Sequence, residues 1–395
     1  MKKILFLTTL AAAFAFGFSS CSNEELVENI EQAQGAEIAF DTFADKLTKA
    51  ENSSETALTD LEGHHTSFNV WGTKLIGTDN KVVYSVADAG KVEYGTDWTA
   101  TPKKFWDKAA ASYNFYAAAP ANASWVFTFN SDSSDGTLTY ADFTLKGVNA
   151  ITAASTTSVE TWKGVADDVD LMIASPCNVA RASYNKADPE KVNLQFNHIL
   201  SRLNVLVKKG TNLADEKVSL KELGIYKLIN KGSFDEGATI TGNLADGTIE
   251  RWTNAALEGT YDLAGLALVD ANPSKDNGVT VTAQYVGEWL LIPQDITMKK
   301  LDADFSDFGT TGSVTEDGAK NEAYIKVVYT INDEEFTGYY NLAAAFGKTT
   351  SGDTVAFCEG WQNNLTIVIN PDAIEFDPQV FNWATKEEKS IEIPE

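Results

Sequence analysis

Residues Lys191–Gly210 read KVNLQFNHILSRLNVLVKKG. Val192, Leu194 and Phe196 alternate with Asn193, Gln195 and Asn197, the period of a strand with one buried face. The alternation slips over His198–Arg202 and resumes as Leu203, Val205 and Val207 against Asn204 and Leu206. A one-residue shift inside a strand would turn its buried face outward, so the slip implies a bulge or a bend between two strand segments. The preceding Arg181–Glu190 (RASYNKADPE) is polar and carries a proline near its end, the composition of a domain boundary. The stretch reads as the founding strand of a second domain, with the boundary between residues 188 and 189.

The same pattern extends outward in both directions. Before the boundary, strand signals fall at Glu37–Phe43, Thr66–Trp71, Tyr113–Ala117 and Val169–Ala174. Val82–Val86 and Lys91–Tyr94 read as a hairpin around Ala87–Gly90, and Trp125–Phe129 and Thr137–Phe143 as a hairpin around Ser131–Gly136. Lys103–Ala111 reads as one short helix. After the boundary come Val218–Ile229, Ala238–Gly242, Thr280–Val286 and Trp289–Ile292. Ala323–Ile331 and Glu335–Leu342 form a hairpin around Asn332-Asp333-Glu334. Asn364–Asn370, Ile374–Phe376, Val380–Trp383 and Ser390–Ile393 follow. A chain of 395 residues has the length for two domains. Its many short strands, close turns and scarce helical periodicity point to an all-β protein of two β-sandwich domains, 36–188 and 189–395.

The formal net charge of −25 sets nucleic acid aside as a partner, because a phosphate backbone would be repelled. Three histidines are present. His64 and His65 are adjacent, so on an extended chain they point to opposite sides and make a poor metal pair. His198 lies at the strand slip and reads as a hydrogen-bonded core histidine. Asn130–Gly136 resembles a calcium loop, but its spacing breaks the EF-hand pattern, and a tight turn accounts for it. Cys177 and Cys358 fall in different proposed domains and read as buried single thiols. Tryptophans in strand patterns read as core rather than as sugar-stacking platforms. No nucleophile elbow, zinc-protease, phosphate-loop or dinucleotide motif occurs. The chain thus reads as a non-enzyme with no metal and no cofactor.

The N-terminus carries the most specific short signal. Lys2 and Lys3 precede the apolar run Ile4–Phe18, which is too short to span a bilayer. Ser19-Ser20-Cys21 then places small residues before a cysteine. This resembles the bacterial lipoprotein signal, in which the peptide (residues 1–20) is removed and the cysteine acylated. Cys21 is accordingly the expected lipidation site, and two acyl chains with an acylated amine would hold the protein firmly on a membrane. Ser22-Asn23-Glu24-Glu25 resembles the surface-export signal of lipoproteins in the Bacteroidetes. Residues 21–35 read as an acidic tether.

A set of segments in order along the mature chain resembles the fimbrillin family of Bacteroidetes, in its Mfa-like branch. They are Phe68-Asn-Val-Trp71-Gly72; Phe105-Trp106 with Tyr113-Asn-Phe115-Tyr116 and Pro120; and Asp168-Val-Asp170-Leu171-Met172. Val192–Leu203, Leu291-Ile-Pro293-Gln294, Gly360-Trp361 through Ile369, and Ile374-Glu-Phe376 with Trp383 complete the set. The resemblance implies two transthyretin-like β-sandwich domains and a type V pilus subunit, assembled by strand exchange after a protease removes the first strand. Its implied partners are other pilin subunits, outer-membrane lipid through acylated Cys21, and a host or bacterial surface ligand. The implied location is the outer-membrane surface and the fimbrium.

Glu37–Phe43 is the candidate removable strand. The polar segment 45–65 after it holds Lys46 and Lys49. Stalk subunits of the family are typically cut after an arginine here; this chain departs from that pattern, and its basic residues Lys46 and Lys49 are the processing candidates, with Lys49-Ala50 the more family-like junction. The alternative is a surface glycan-binding lipoprotein that does not polymerise; filaments in extracts select the first reading and monomeric binding on a glycan array the second. Replacing Cys21 by Ala is expected to abolish incorporation of labelled fatty acid and retention in the membrane fraction; undiminished labelling would contradict the assignment.

Overall fold

The computed structural model describes residues 36–44, 65–85, 89–130, 135–145, 169–174, 176–185, 188–239, 248–254, 260–268, 278–298, 323–348, 350, 352–371 and 374–382. Its strands are numbered β1 to β23 in chain order. The stretch 191–210 forms β11 (Val192–His198) and β12 (Ser201–Lys209), separated by the corner Ile199–Leu200. β11 pairs in parallel with β1 (Phe40–Ala44) and antiparallel with β9 (Met172–Ala174). β12 pairs antiparallel with β17 (Gln284–Leu291) and in parallel with β22 (Trp361–Ile369). The two halves of one apolar run therefore serve different sheets. Val192, Leu194 and Phe196 enter one core, whereas Leu203, Val205 and Val207 enter another.

The corner is fastened through its main chain. Ile199 N–H donates to Leu171 O at 3.1 Å, and Gly360 N–H donates to Leu200 O at 2.9 Å. The Trp252 indole N–H donates to Ile199 O at 2.7 Å. The passage from sheet to sheet thus lies at residues 199–200, and Val192–His198, expected among the strands of the second half, pair with strands of the first. The polar run 181–190 is tied down by its one aromatic. The short helix α1 (Arg181–Tyr184) buries Tyr184, which stacks on Trp106 at 4.6 Å and donates to Ala110 O at 2.6 Å.

The largest sheet has the order β1-β11-β9-β6-β2-β4-β5, with β3 (Asp79–Tyr84) joined to β2 and β10 (Cys177–Ala180) joined to β6. Its long central members are β2 (Ser67–Ile76) and β6 (Ser112–Ala119). Period-two alternation divides their side chains between the two cores: Phe68, Val70, Phe115 and Ala117 on one face, Trp71, Tyr116 and Ala118 on the other. The expected hairpin of Val82–Val86 with Lys91–Tyr94 does not form. β3 (Asp79–Tyr84) pairs with residues 72–76 of β2, and β4 (Gly90–Tyr94) with residues 67–70. The ten-residue β2 is long enough to accept both in sequence. Gly90 permits the crowding at their junction, since a Cβ there would lie 2.6 Å from the Tyr84 ring. Lys103–Ala111 is not a helix either. It runs extended past β5 (Trp98–Thr101), bridges Glu37 through Phe105 and buries Trp106 among aromatic rings. Tertiary burial of that tryptophan outweighs local propensity.

β7 (Trp125–Phe129) and β8 (Gly136–Thr144) form the expected hairpin. They are joined in one sheet by β14 (Lys231–Asp235) and β15 (Trp252–Asn254) from the other half of the chain. This mixed sheet faces the large one, with Trp71 stacked on Phe127 at 5.6 Å. The remaining sheets have the orders β17-β12-β22-β23 and β16-β13-β19-β20, with β18 (Gln294–Thr297) paired to β21 (Thr354–Phe357). Here β13 is Val218–Ile229, β16 Thr260–Leu268, β19 Tyr324–Ile331, β20 Glu334–Asn341 and β23 Ile374–Asn382. Trp289 belongs to the continuous β17, and Ile374–Phe376 runs on through Pro378 as one strand. A proline is tolerated there because β23 is an edge strand. The expected strand at Ala238–Gly242 begins in the turn after β14, and Gly242 lies outside the described residues, as does Ser390–Ile393.

Phe196 and Leu203 are both fully buried, on opposite sides of the corner. Truncating either to Ala is expected to cost roughly 2–5 kcal/mol in denaturant unfolding. A change within about 0.5 kcal/mol, the range of surface substitutions, would contradict the assignment of these faces to two cores.

Candidate functional site

β1 is the terminal strand of the large sheet. Its register with β11 runs from Phe40 opposite Val192 to Ala44 opposite Phe196. Ile38, Phe40 and Thr42 point inward and are at most 2% exposed. The Phe40 ring meets Phe115 at 5.7 Å and Phe68 at 6.0 Å, both edge to face, and Tyr84 at 6.3 Å. Burying such an aromatic side chain contributes about 1.5–3 kcal/mol.

The residues ahead of β1 are held by a second element, which the sequence reading did not foresee. Ile38 N–H donates to Lys104 O at 2.9 Å, and Trp106 N–H donates to Ala36 O at 3.0 Å. Glu37 pairs with Lys103 at 2.7 Å, an exposed contact of small energetic weight. The first segment therefore lies between the β11 edge and the extended run Lys103–Trp106. A hint in the sequence was a glutamate beside an inward isoleucine at one site and two lysines beside a tryptophan at the other.

The polar segment after β1 runs from residue 45 to residue 64, outside the described residues; Lys46, Lys49 and His64 lie in it, and Cys21 lies outside them too. The chain re-enters at His65, which is tucked against Asp170. Its side chain hydrogen-bonds to the Asp170 main chain, and burial pulls its pKa below the usual histidine value, against the pull of the Asp170 carboxylate. The same carboxylate lies 2.6 Å from His198 Nδ1, so His198 is the hydrogen-bonded core histidine that the sequence implied. Asp170 thus ties the start of β2 to the end of β11.

At the other end of the chain, β22 is a central strand between β12 and β23, with Leu365, Ile367 and Ile369 fully buried. β23 is held on one side only. Its Ile374 is buried, Phe376 and Val380 are half-buried, and Glu375, Asp377 and Gln379 are exposed. The Phe376 ring meets Tyr340 at 5.0 Å.

Neither of the two described cysteines is set up as a nucleophile. Burial pushes the Cys358 thiol up to about 12 and raises Cys177 as well, the opposite of an activated thiolate. Among the described residues no group of three or more His, Cys, Asp or Glu could hold a metal ion. Arg251 grips Glu359 with contacts of 2.7 to 3.1 Å and lies over the Phe234 ring at 5.2 Å. Burial raises the Glu359 carboxyl despite that pairing. The pair joins the β14–β15 connection to the start of β22, a structural role.

A profile of the fimbrillin-like family matches residues 48–383. Among solved structures, the chain is similar to a fimbrial protein from Bacteroides vulgatus ATCC 8482, at 15% identity and a TM-score of 0.49, over 88% of this chain and 99% of that one. It is also similar to the C-terminally truncated tip fimbrial protein Mfa3 from Porphyromonas gingivalis, at 11% identity and a TM-score of 0.37, over 80% and 94%. No curated protein matches.

The lowered pKa of His65 has a sign. The unfolded state binds the proton more readily, so stability falls as pH drops below the unfolded value near 6.5. Between pH 7 and 5 the parent chain is expected to lose stability relative to His65→Gln, by no more than about 1.4 kcal/mol per pH unit. Parallel stability–pH curves for the two would contradict this.

Proposed function

The chain belongs to the fimbrillin-like family, and from that premise we propose that this surface pilus subunit or adhesin is assembled by protease-triggered strand exchange. It leaves the cell as a lipoprotein acylated at Cys21 and is built as two β-sandwich halves. The observation that carries the reading is β1: a terminal strand with a buried apolar face, paired by a strand ladder on one side only, followed at once by the lysine-bearing segment. Cleavage after Lys49, or after Lys46, separates β1 from the fold. Its loss uncovers the main-chain groups of β11 and the pockets of Ile38 and Phe40, and buried donors and acceptors left without partners are costly.

A C-terminal segment of another copy fills that gap by strand addition, in which main-chain bonds supply affinity and alternate side chains supply selectivity. Donation from Val380–Ile393 is preferred to donation from Asn364–Asn370. β22 would have to break two ladders to leave, whereas β23 is held by one. Head-to-tail donation does not close on itself and therefore builds a fibre. Among the described tryptophans, Trp71, Trp98, Trp106, Trp125, Trp252 and Trp289 are at most 7% exposed and Trp361 is half-buried, so these six offer the glycan-binding alternative no sugar-stacking face.

Amino-terminal sequencing of assembled fibres is expected to begin at Ala50. A Lys46/Lys49 double substitution to Gln is expected to leave monomeric lipoprotein on the cell. Normal fibres from the uncut double variant would overturn the mechanism.

A further inference from the structure

The interior around β1 is aromatic and closely filled, yet three of its polar atoms are left over. The Thr42 hydroxyl, the Tyr84 hydroxyl and the Trp106 indole N–H are buried and have no hydrogen-bond partner among the described residues. All three residues are nine-tenths or more buried: Thr42 2%, Tyr84 0% and Trp106 3% exposed. Tyr84 and Trp106 belong to the core that Ile38 and Phe40 enter. Thr42 is the third inward position of β1 itself. Glu37 acts electrostatically on the Tyr84 phenol but gives its carboxylate to Lys103 instead. A protein interior pairs nearly all of its buried polar groups, so three orphans around one terminal strand call for an explanation.

We propose that β1 is an imperfect occupant of its own groove, and that the unpaired Thr42 hydroxyl makes it replaceable by an extended segment of a second copy that presents an aliphatic side chain at that position. The inference rests on the strand-exchange reading above and adds its selectivity. A β1 that fitted perfectly would stay bound after the chain was cut, because its apolar contacts and ladder do not depend on the severed loop. An orphaned hydroxyl weakens the occupant without altering its shape: Thr and Val differ by one hydroxyl for one methyl. Replacement then proceeds downhill, from a strand that strands a polar group in the core to one that does not. The sequence 380–393 offers aliphatic residues at alternate positions in Ile391 and Ile393, the chemistry that the Thr42 position lacks.

The test uses the full mature chain with the recognition site of a specific protease inserted after Lys49. After cutting, the rate at which the N-terminal fragment leaves is followed by intact-mass analysis of gel-filtered protein. Thr42→Val is expected to slow release about tenfold and to raise the denaturant midpoint of the uncut chain, since an unmade buried hydrogen bond is costly. Thr42→Ser, which keeps the hydroxyl, is expected not to slow release. Release of Thr42→Val at or above the parental rate, or a lowered midpoint, would overturn the inference. A chain that retains the Thr42→Val strand longer but never polymerises in either form would instead refute the assembly reading and leave the imperfect fit standing.

Discussion

The fold hangs on strand parity. Side chains of a strand alternate between faces, so a strand can serve two cores only by breaking its own register. Between Phe196 and Leu203 the chain makes that break, turning a corner at Ile199–Leu200 that is fixed by main-chain bonds to Leu171, Gly360 and the Trp252 indole. These partners come from widely separated parts of the chain. The corner is therefore the point where two sheets part: β11 lies between β1 and β9 in the large sheet, and β12 lies between β17 and β22 in the sheet that also carries β23. Gly360 adopts φ +65°, the left-handed region that glycine tolerates best, and so delivers its N–H to Leu200 at the start of β22.

From that corner the halves are not separate bodies strung on a linker. The sheet β15-β14-β8-β7 is drawn from both, with β8 and β14 sharing an antiparallel ladder, and the buried Arg251–Glu359 pair fastens the same region to the start of β22. A subunit that carries tension along a fibre needs such continuity, because ladder bonds and apolar burial must then fail together. The first segment is the contrast. It is held by its own ladder, by two main-chain bonds to the run after β5 and by the Phe40 pocket, and β5, the strand at the far end of the same sheet, lies near it without a ladder between them.

How far the sequence could be read depended on whether the information was local. Trp125–Phe129 was legible to the residue, because its alternation is uninterrupted and its inward face commits to one core; Val218–Ile229 was read with its observed bounds as well, although its alternation slips after Leu220 and after Ile225, where its ladders shift register. β14, with the sequence KGSFD, has one large apolar residue and owes its strand state to the β8 ladder, which no local pattern encodes. Lys103–Ala111 has helix-like spacing, but Trp106 is worth more in the core than the helix would be on the surface. The candidate site divides in the same way. Cys21, Lys46 and Lys49 are read from short motifs and need no contacts. The clamp of Glu37 on Phe105 and the link from His65 through Asp170 to His198 join residues far apart in the chain, and only the fold brings them together.

Charge adds a last constraint. Each chain carries a formal charge of −25, so copies repel one another at distances where only Coulomb forces act. Salt confines that repulsion to about 8–10 Å at physiological ionic strength, and within that range it must be beaten by short-range terms. A surface of this kind cannot associate face to face through diffuse attraction. It can associate through a strand that enters a groove, where main-chain bonds and buried side chains act at contact distance. The pocket that Phe40 fills suits that purpose: Phe68 and Phe115, which its ring meets, are uncharged and fully buried. On the proposed strand-exchange reading, the acidic exterior would disfavour contacts that are merely close, and the apolar groove would favour the one that is threaded.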